Sequence, residues 1–256
     1  MLPDDTDQTR APEAGSPHGP SADPVVVCRD ATYAPRGGYR SFDFASFEAA
    51  PGTVTALLSA DPACARDLGL AVAGLVRPTS GSLRVRGVEL ARARGRGARL
   101  PRGSVGIGFV TGAAEVDGTL TVEEAVAREL AWRGAADADV LVYLGEHGLA
   151  THADRRLDLL DARSRARLSG ALALAAAPAV AVVDLGDPFV QGLSARDAEL
   201  TVSAWRRVAR ARGCAVIACT PEPAAARAAD AAVALDIPSA EALAAPRPSR
   251  PEEARS

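Results

Sequence analysis

Short apolar runs bounded by turn-forming residues alternate along this chain with stretches of helical spacing. Residues 24–28 and 41–47 alternate apolar and polar side chains and predict two strands joined by a turn at Arg36-Gly37-Gly38. The run 52–58 predicts a third strand, residues 63–75 a helix, and residues 81–88 and 104–110 two further strands. Thr121 precedes Glu124 by three residues, the capping-box spacing, and predicts a helix start. A mostly helical stretch then runs to about Ala177. Residues 180–183, ending in Asp184, have the continuous apolar form of a buried parallel strand. Residues 195–212 read as an amphipathic helix, 215–219 as a buried strand, 222–229 as a helix and 231–235 as the last strand. This alternation predicts an α/β fold with a mostly parallel sheet, an N-terminal β layer and a helical insertion over about 120–177.

Composition sets the boundaries. Residues 1–23 and 238–256 are rich in Pro, Ser and charge and are expected to be disordered tails around one domain at 24–237. A formal net charge of -3 gives no basic footprint for nucleic acid. Arg92, Arg94, Arg96, Arg99 and Arg102 cluster in a Gly/Ala-rich stretch that reads as a solvated loop. No run of about 18 strongly apolar residues is present, so no membrane span is expected. Cys28, Cys64, Cys214 and Cys219 lack metal-ligand spacing and read as small buried hydrophobes in a reducing cytoplasm.

Three segments carry a resemblance. Gly74-Leu75-Val76-Arg77-Pro78-Thr79-Ser80-Gly81, continuing to Gly87, resembles the segment after the phosphate loop in the nucleotide-binding domain of ABC transporters. Leu120-Thr121-Val122-Glu123-Glu124 is similar to the start of that family's helical subdomain. Residues 179–184 resemble its Walker B strand, with Gly192-Leu193 in the loop beyond. The resemblance implies an ABC-type P-loop NTPase-like fold, ATP and Mg²⁺ as cofactors, and two partners: a permease subunit and a second nucleotide-binding domain, as homo- or heterodimer. It also implies a cytoplasmic location, peripheral at the inner face of the cell membrane.

The resemblance places the phosphate loop on residues 59–67, from Ser59 to Asp67, where the sequence contains no glycine. Such a loop needs glycines so that successive N–H groups can turn toward phosphate oxygens. Pro62 removes one N–H altogether. The lysine position is Ala65, and the chain contains no lysine anywhere. Arg66 and Asp67 fall where hydroxyls would bind Mg²⁺; Arg66 could reach a phosphate from the neighbouring position, but a strand–turn–helix kept for packing is the expected reading of this segment.

Beyond the loop, the expected glutamine after the 104–110 strand is Thr111. The signature motif falls on Leu160-Asp161-Ala162-Arg163-Ser164, which keeps only the leucine, while Leu168-Ser169-Gly170-Ala171 reads as helix packing. Asp184 ends the Walker B strand as a candidate Mg²⁺ holder or a plain turn residue. The catalytic glutamate position is Leu185, with Asp187 as an off-register substitute. The switch histidine is replaced by Thr220-Pro221, and His18, His147 and His152 are expected to face solvent. Tyr33 lies where the family stacks an aromatic on adenine, and packing on the β layer explains it equally. Of Leu120, Val122, Val126, Leu130 and Trp132, most are expected in the core and the rest on a permease-contacting surface. The sequence therefore suggests a pseudo-ATPase of this fold. A divergent active ATPase and a soluble interaction protein unconnected with transport are the alternatives.

Overall fold

The computed structural model describes residues 23–34, 40–90 and 99–235. The expected turn at residues 36–38, Arg92, Arg94 and Arg96, His18, and all of both tails but Asp23 lie outside the described residues. Two sheets organise the rest. β1 (Val26–Tyr33), β2 (Phe42–Ala49), β4 (Ser80–Val85) and β5 (Val88–Glu89) form an antiparallel sheet in the order β2-β1-β4-β5. β3 (Val54–Leu58), β6 (Val105–Ile107), β7 (Val180–Asp184), β8 (Ala215–Thr220) and β9 (Ala231–Ala234) form a parallel sheet in the order β6-β7-β8-β3-β9.

α1 (Pro62–Val72) lies between the two sheets. Its Leu68, Ala71 and Val72 join Val26, Cys28 and Phe47 of the antiparallel sheet and Leu57, Val182 and Ile217 of the parallel one in a single buried cluster. The opposite face of the parallel sheet is covered by α5 (Ala195–Arg212) and α6 (Pro223–Ala228), with Trp205 at its centre. α2 (Val122–Trp132), α3 (Val140–Glu146) and α4 (Ala162–Ala173) build a helical lobe with its own core around Val126, Leu144, Leu157 and Leu168. The expected α/β architecture, with its antiparallel layer and helical lobe, is present.

Local chemistry explains the boundaries. Thr121 and Glu124 form the capping box, each side chain accepting from the other's backbone N–H. α5 ends at Gly213 in the left-handed conformation, with φ of 65°. The expected strand over 81–88 is instead a hairpin, β4 and β5, because Arg86 and Gly87 both adopt positive φ and turn the chain. Gly81 is demanded by contact as well as by φ: a Cβ there would lie 2.3 Å from the carbonyl oxygen of Asp30. All four cysteines are buried free thiols.

The helical lobe is tied to the parallel sheet through α4 and α5. Gly170 of α4 faces the Trp205 indole so closely that a Cβ would come within 2.0 Å of its Nε1. Ser169 Oγ accepts from the Phe109 N–H at 2.9 Å. Residues 168–171 are thus interior helix packing. His147 corrects its sequence expectation: it is 6% exposed, beside the Tyr143 ring at 4.7 Å between centroids. Burial, aided by the Arg212 guanidinium, holds its imidazole down at about 4. The apolar spacing of α3 places His147 one residue past the helix end, where only the tertiary fold decides which side it faces.

Candidate functional site

The β3–α1 connection is where the resemblance puts the phosphate loop, and here it is three residues long: Ser59, Ala60 and Asp61. Pro62 then opens α1 directly, so residues 62–67 are helix. Asp61 is the N-cap, the arrangement that Asp followed by Pro favours. Its carboxylate accepts from the Ala63 N–H at 2.9 Å, and its carbonyl accepts from the Cys64 N–H at 3.1 Å. The Ser59 N–H donates to the Thr220 carbonyl at 3.2 Å and the Asp61 N–H to Ser59 Oγ at 3.1 Å. Pro62 has no N–H to give. Of the amides at Ser59, Asp61, Ala63 and Cys64, none is left to point at a phosphate oxygen.

The side chains of this segment are equally committed. Ala65 is 1% exposed, and its carbonyl accepts from the Cys219 thiol at 3.1 Å. Asp67 accepts from Ser41 Oγ at 2.7 Å, joining α1 to the start of β2. Arg66 lies 3.8 Å from Asp67 across a loose ion pair and within electrostatic reach of Asp184. A Cβ at Gly186 would lie 3.0 Å from Pro62 Cβ and 3.3 Å from Asp184 Oδ1, so the start of α1 and the end of β7 crowd together.

Asp184 is 3% exposed at the end of β7 and accepts from the Gly186 N–H at 2.8 Å. Burial pushes its carboxyl up to about 7; the Gly186 N–H opposes the shift, neighbouring Asp187 adds to it, and Arg66 opposes it. Asp187 is a tether. Its carboxylate accepts from the Thr111 N–H at 2.6 Å, the Thr111 hydroxyl at 3.0 Å and the Phe189 N–H at 2.8 Å. Two positions where the resemblance expects catalytic side chains, residue 111 and the region after Asp184, are therefore bonded to each other. The Phe109 and Phe189 rings, stacked with centroids 3.7 Å apart, reinforce the same junction.

The signature-like stretch Leu160–Ser164 does sit at the start of a helix, α4. Asp161 caps it, accepting from the Ser164 N–H at 2.8 Å and hydroxyl at 2.9 Å. Burial alone would raise the Asp161 carboxyl, but the two Ser164 hydrogen bonds outweigh it and hold it below its ordinary value. Arg165 spans the junction, donating to the Leu160 carbonyl at 2.7 Å and the Phe189 carbonyl at 3.0 Å. Tyr33 is half-buried at the end of β1, tilted against Phe42 with ring centroids 6.0 Å apart. Thr220 accepts from the Glu222 N–H at 3.0 Å.

Sequence reasoning named Asp161 and Asp187, and Asp61 only within the range 59–67, and gave none of them its capping or tethering role. The signal was present: Asp-Pro at a strand end and Asp-x-x-Ser before an apolar helix are both N-cap patterns. A second feature escaped notice. A cleft of about 780 Å³ opens between the start of β6 and α2, lined among others by Arg102, Val105, Arg128 and Trp132. Val122, Val126 and Leu130 of α2 are buried and Leu120 half-buried, whereas Trp132 is 77% exposed.

Taken together, the two sheets, the helical lobe and the position of the α1 start define the fold of an ATP-binding cassette. Solved structures with that fold include CbiO1 from Clostridium perfringens, part of the ABC transporter complex CbiONQ. It superposes with a TM-score of 0.64 at 16% identity over 83% of this chain and 85% of that one. The bacterial ABC transporter cassette MJ0796 matches with a TM-score of 0.61 at 17% identity over 82% of this chain and 94% of that one, both as a dimer and as a dimeric post-hydrolysis state bound to ADP and Pi. No family model matches the sequence, and no curated protein matches it either.

Proposed function

We propose that this chain is a degenerate ATP-binding-cassette subunit that works without nucleotide, as a docking half of a membrane transport assembly. The supporting observation is the start of α1, where the amides at 59, 61, 63 and 64 are bonded within the chain. Asp61 supplies that helix start with its own anion, and Asp161 does the same at α4. A bound triphosphate would have to displace a covalently tethered carboxylate at α1 and bear its repulsion. Mg·ATP does not fit this residue set. Asp184 is the one expected Mg²⁺ holder retained, while Asp67 is held by Ser41 and Asp187 by Thr111.

The partners this reading implies are a permease and a second nucleotide-binding domain, either another copy or a competent ATPase. Its place is the cytoplasmic face of a membrane, and no helix among the described residues is long and apolar enough to cross one. By resemblance, the segment from Thr111 to Trp132, which borders the cleft, corresponds to the permease-contacting region. One observation favours a divergent active ATPase instead: Arg66 and Asp187 both lie within electrostatic reach of Asp184. Phosphate release separates the two. The purified full chain is expected to release phosphate from ATP no faster than the Asp184→Ala, Arg66→Ala double variant. Turnover that this double variant abolishes would overturn the reading.

A further inference from the structure

Among the described residues, four buried side-chain polar atoms lack a hydrogen-bond partner, and three of them lie on α4 and α5: Arg163 Nε, Arg167 Nε and Thr201 Oγ1. They meet along one seam. Arg163 lies 3.6 Å from Asp197, and two turns further on Gly170 meets the Trp205 indole, so the two helices run alongside in the same direction. Arg167 and Thr201 each stand four residues beyond the first of those contacts, one turn along the same face. Thr201 is 0% exposed, so its hydroxyl is enclosed where α5 packs on α4.

The acceptors nearest these donors are spent elsewhere. The 3.6 Å separation of Arg163 from Asp197 is too long for a hydrogen bond, and the Asp197 carboxylate accepts from Ser194 Oγ at 2.7 Å at the α5 cap. Asp161 is taken by the Ser164 N–H and hydroxyl. Arg167 donates to the Gly148 carbonyl at 3.3 Å through a terminal nitrogen, which leaves its Nε unserved. Burial and then Arg163 hold the Arg167 guanidinium below its ordinary value; Asp161 and Asp197 oppose this, and Arg207 of α5 adds to it. Even with both aspartates anionic, three guanidiniums outnumber two carboxylates, so the seam is net positive. A buried donor without an acceptor is costly, and more so on a charged group. The Arg163 and Arg167 stems leave α4 about 6 Å apart, close enough for one multivalent acceptor to serve both. Arg163 keeps a side-chain exposure of 39%, so its guanidinium end can swing outward to admit a ligand.

We infer that the α4–α5 seam is a binding site for a small tetrahedral oxyanion of the phosphate type, held by Arg163, Arg167 and the Thr201 hydroxyl. Such an ion has oxygens for both Nε–H groups and a further one for Thr201. Bound there, it ties the helical lobe, to which α4 belongs, to α5 on the parallel sheet. The site lies apart from the start of α1 and does not depend on whether the chain binds nucleotide.

Phosphorus NMR of inorganic phosphate titrated into the full chain, at an ionic strength held constant with sodium chloride, tests this. The phosphate line is expected to broaden saturably, with a Kd on the order of 1 mM. Sulfate should reverse the broadening, whereas nitrate at the same concentration should not. Arg163→Gln with Arg167→Gln should weaken binding by about tenfold or more, and Thr201→Val by about three- to tenfold. Arg207→Gln changes an exposed side chain and should weaken binding by about two- to threefold. In thermal unfolding, about 20 mM phosphate should raise the Tm of the unmodified chain by about 3–6 °C more than that of the double variant, a difference that cancels general salting-out. If the double variant does not melt cooperatively, Thr201→Val and Arg207→Gln decide. Equal broadening in every protein would mean an adventitious surface anion only and would overturn the inference. No broadening in the unmodified chain, which leaves the seam to ordered water, would overturn it as well.

Discussion

Asp184 offers the sharpest test of how the interior treats a buried carboxylate, the one that the resemblance places at the end of the Walker B strand. It is 3% exposed, and burial holds its carboxyl at about 7 against an ordinary 3.8. Because the folded value lies above the unfolded one, the folded state binds the extra proton between those two pH values. Stability from this group is therefore complete below about pH 4 and is lost as pH rises through about 7. A difference of roughly three units at 1.36 kcal/mol each amounts to about 4 kcal/mol across that window. Asp184→Asn keeps an acceptor for the Gly186 N–H and carries no charge at any pH, so it removes the slope. At pH 8 the variant should be more stable by about 2–4 kcal/mol, which raises Tm by roughly 5–12 °C in a domain of this size. At pH 4 the two proteins should melt together within about 1 °C. Thermal unfolding followed by circular dichroism at both pH values measures this. A variant that is less stable at pH 8, or that differs equally at both pH values, would refute the reasoning.

Two further substitutions probe the packing that fixes the site. Asp187→Ala removes three hydrogen bonds from a carboxylate that is 2% exposed and strands the Thr111 and Phe189 N–H groups. It should cost about 2–4 kcal/mol, read as a lower urea midpoint at unchanged slope. Gly170→Ala gains up to about 1 kcal/mol in helix propensity but drives a methyl into the buried Trp205 ring. Overpacking of about 1–3 kcal/mol or more should win, giving a lower Tm with a shifted Trp205 emission.

Much of the fold was legible because its cues are local. The capping box at Thr121, the apolar run into Asp184 and the amphipathic spacing of residues 195–212 each specify an element without reference to the rest. The strand expected over 81–88 became a hairpin because Arg86 adopts a φ of 50°, a conformation that propensity disfavours and only the following Gly87 hinted at. At the candidate site, the lack of glycine in residues 59–67 and of lysine anywhere in the sequence is visible residue by residue. The contacts made around it are not. The Asp187–Thr111 bonds join residues 76 apart, and the Arg165 contact with Phe189 joins residues 24 apart. No periodicity encodes such pairings. His147 was misjudged for the same reason, since its burial depends on Tyr143, Arg212 and the distant end of α5.

Calorimetric titration of the purified full chain with Mg·ATP tests the central claim most directly. If the amides at the start of α1 are consumed within the chain and Asp61 already caps it, no saturable heat should develop up to about 1 mM nucleotide, a binding free energy no more favourable than about -4 kcal/mol. A one-site isotherm in the micromolar range, lost in a variant that cannot open residues 59–67, would contradict the account.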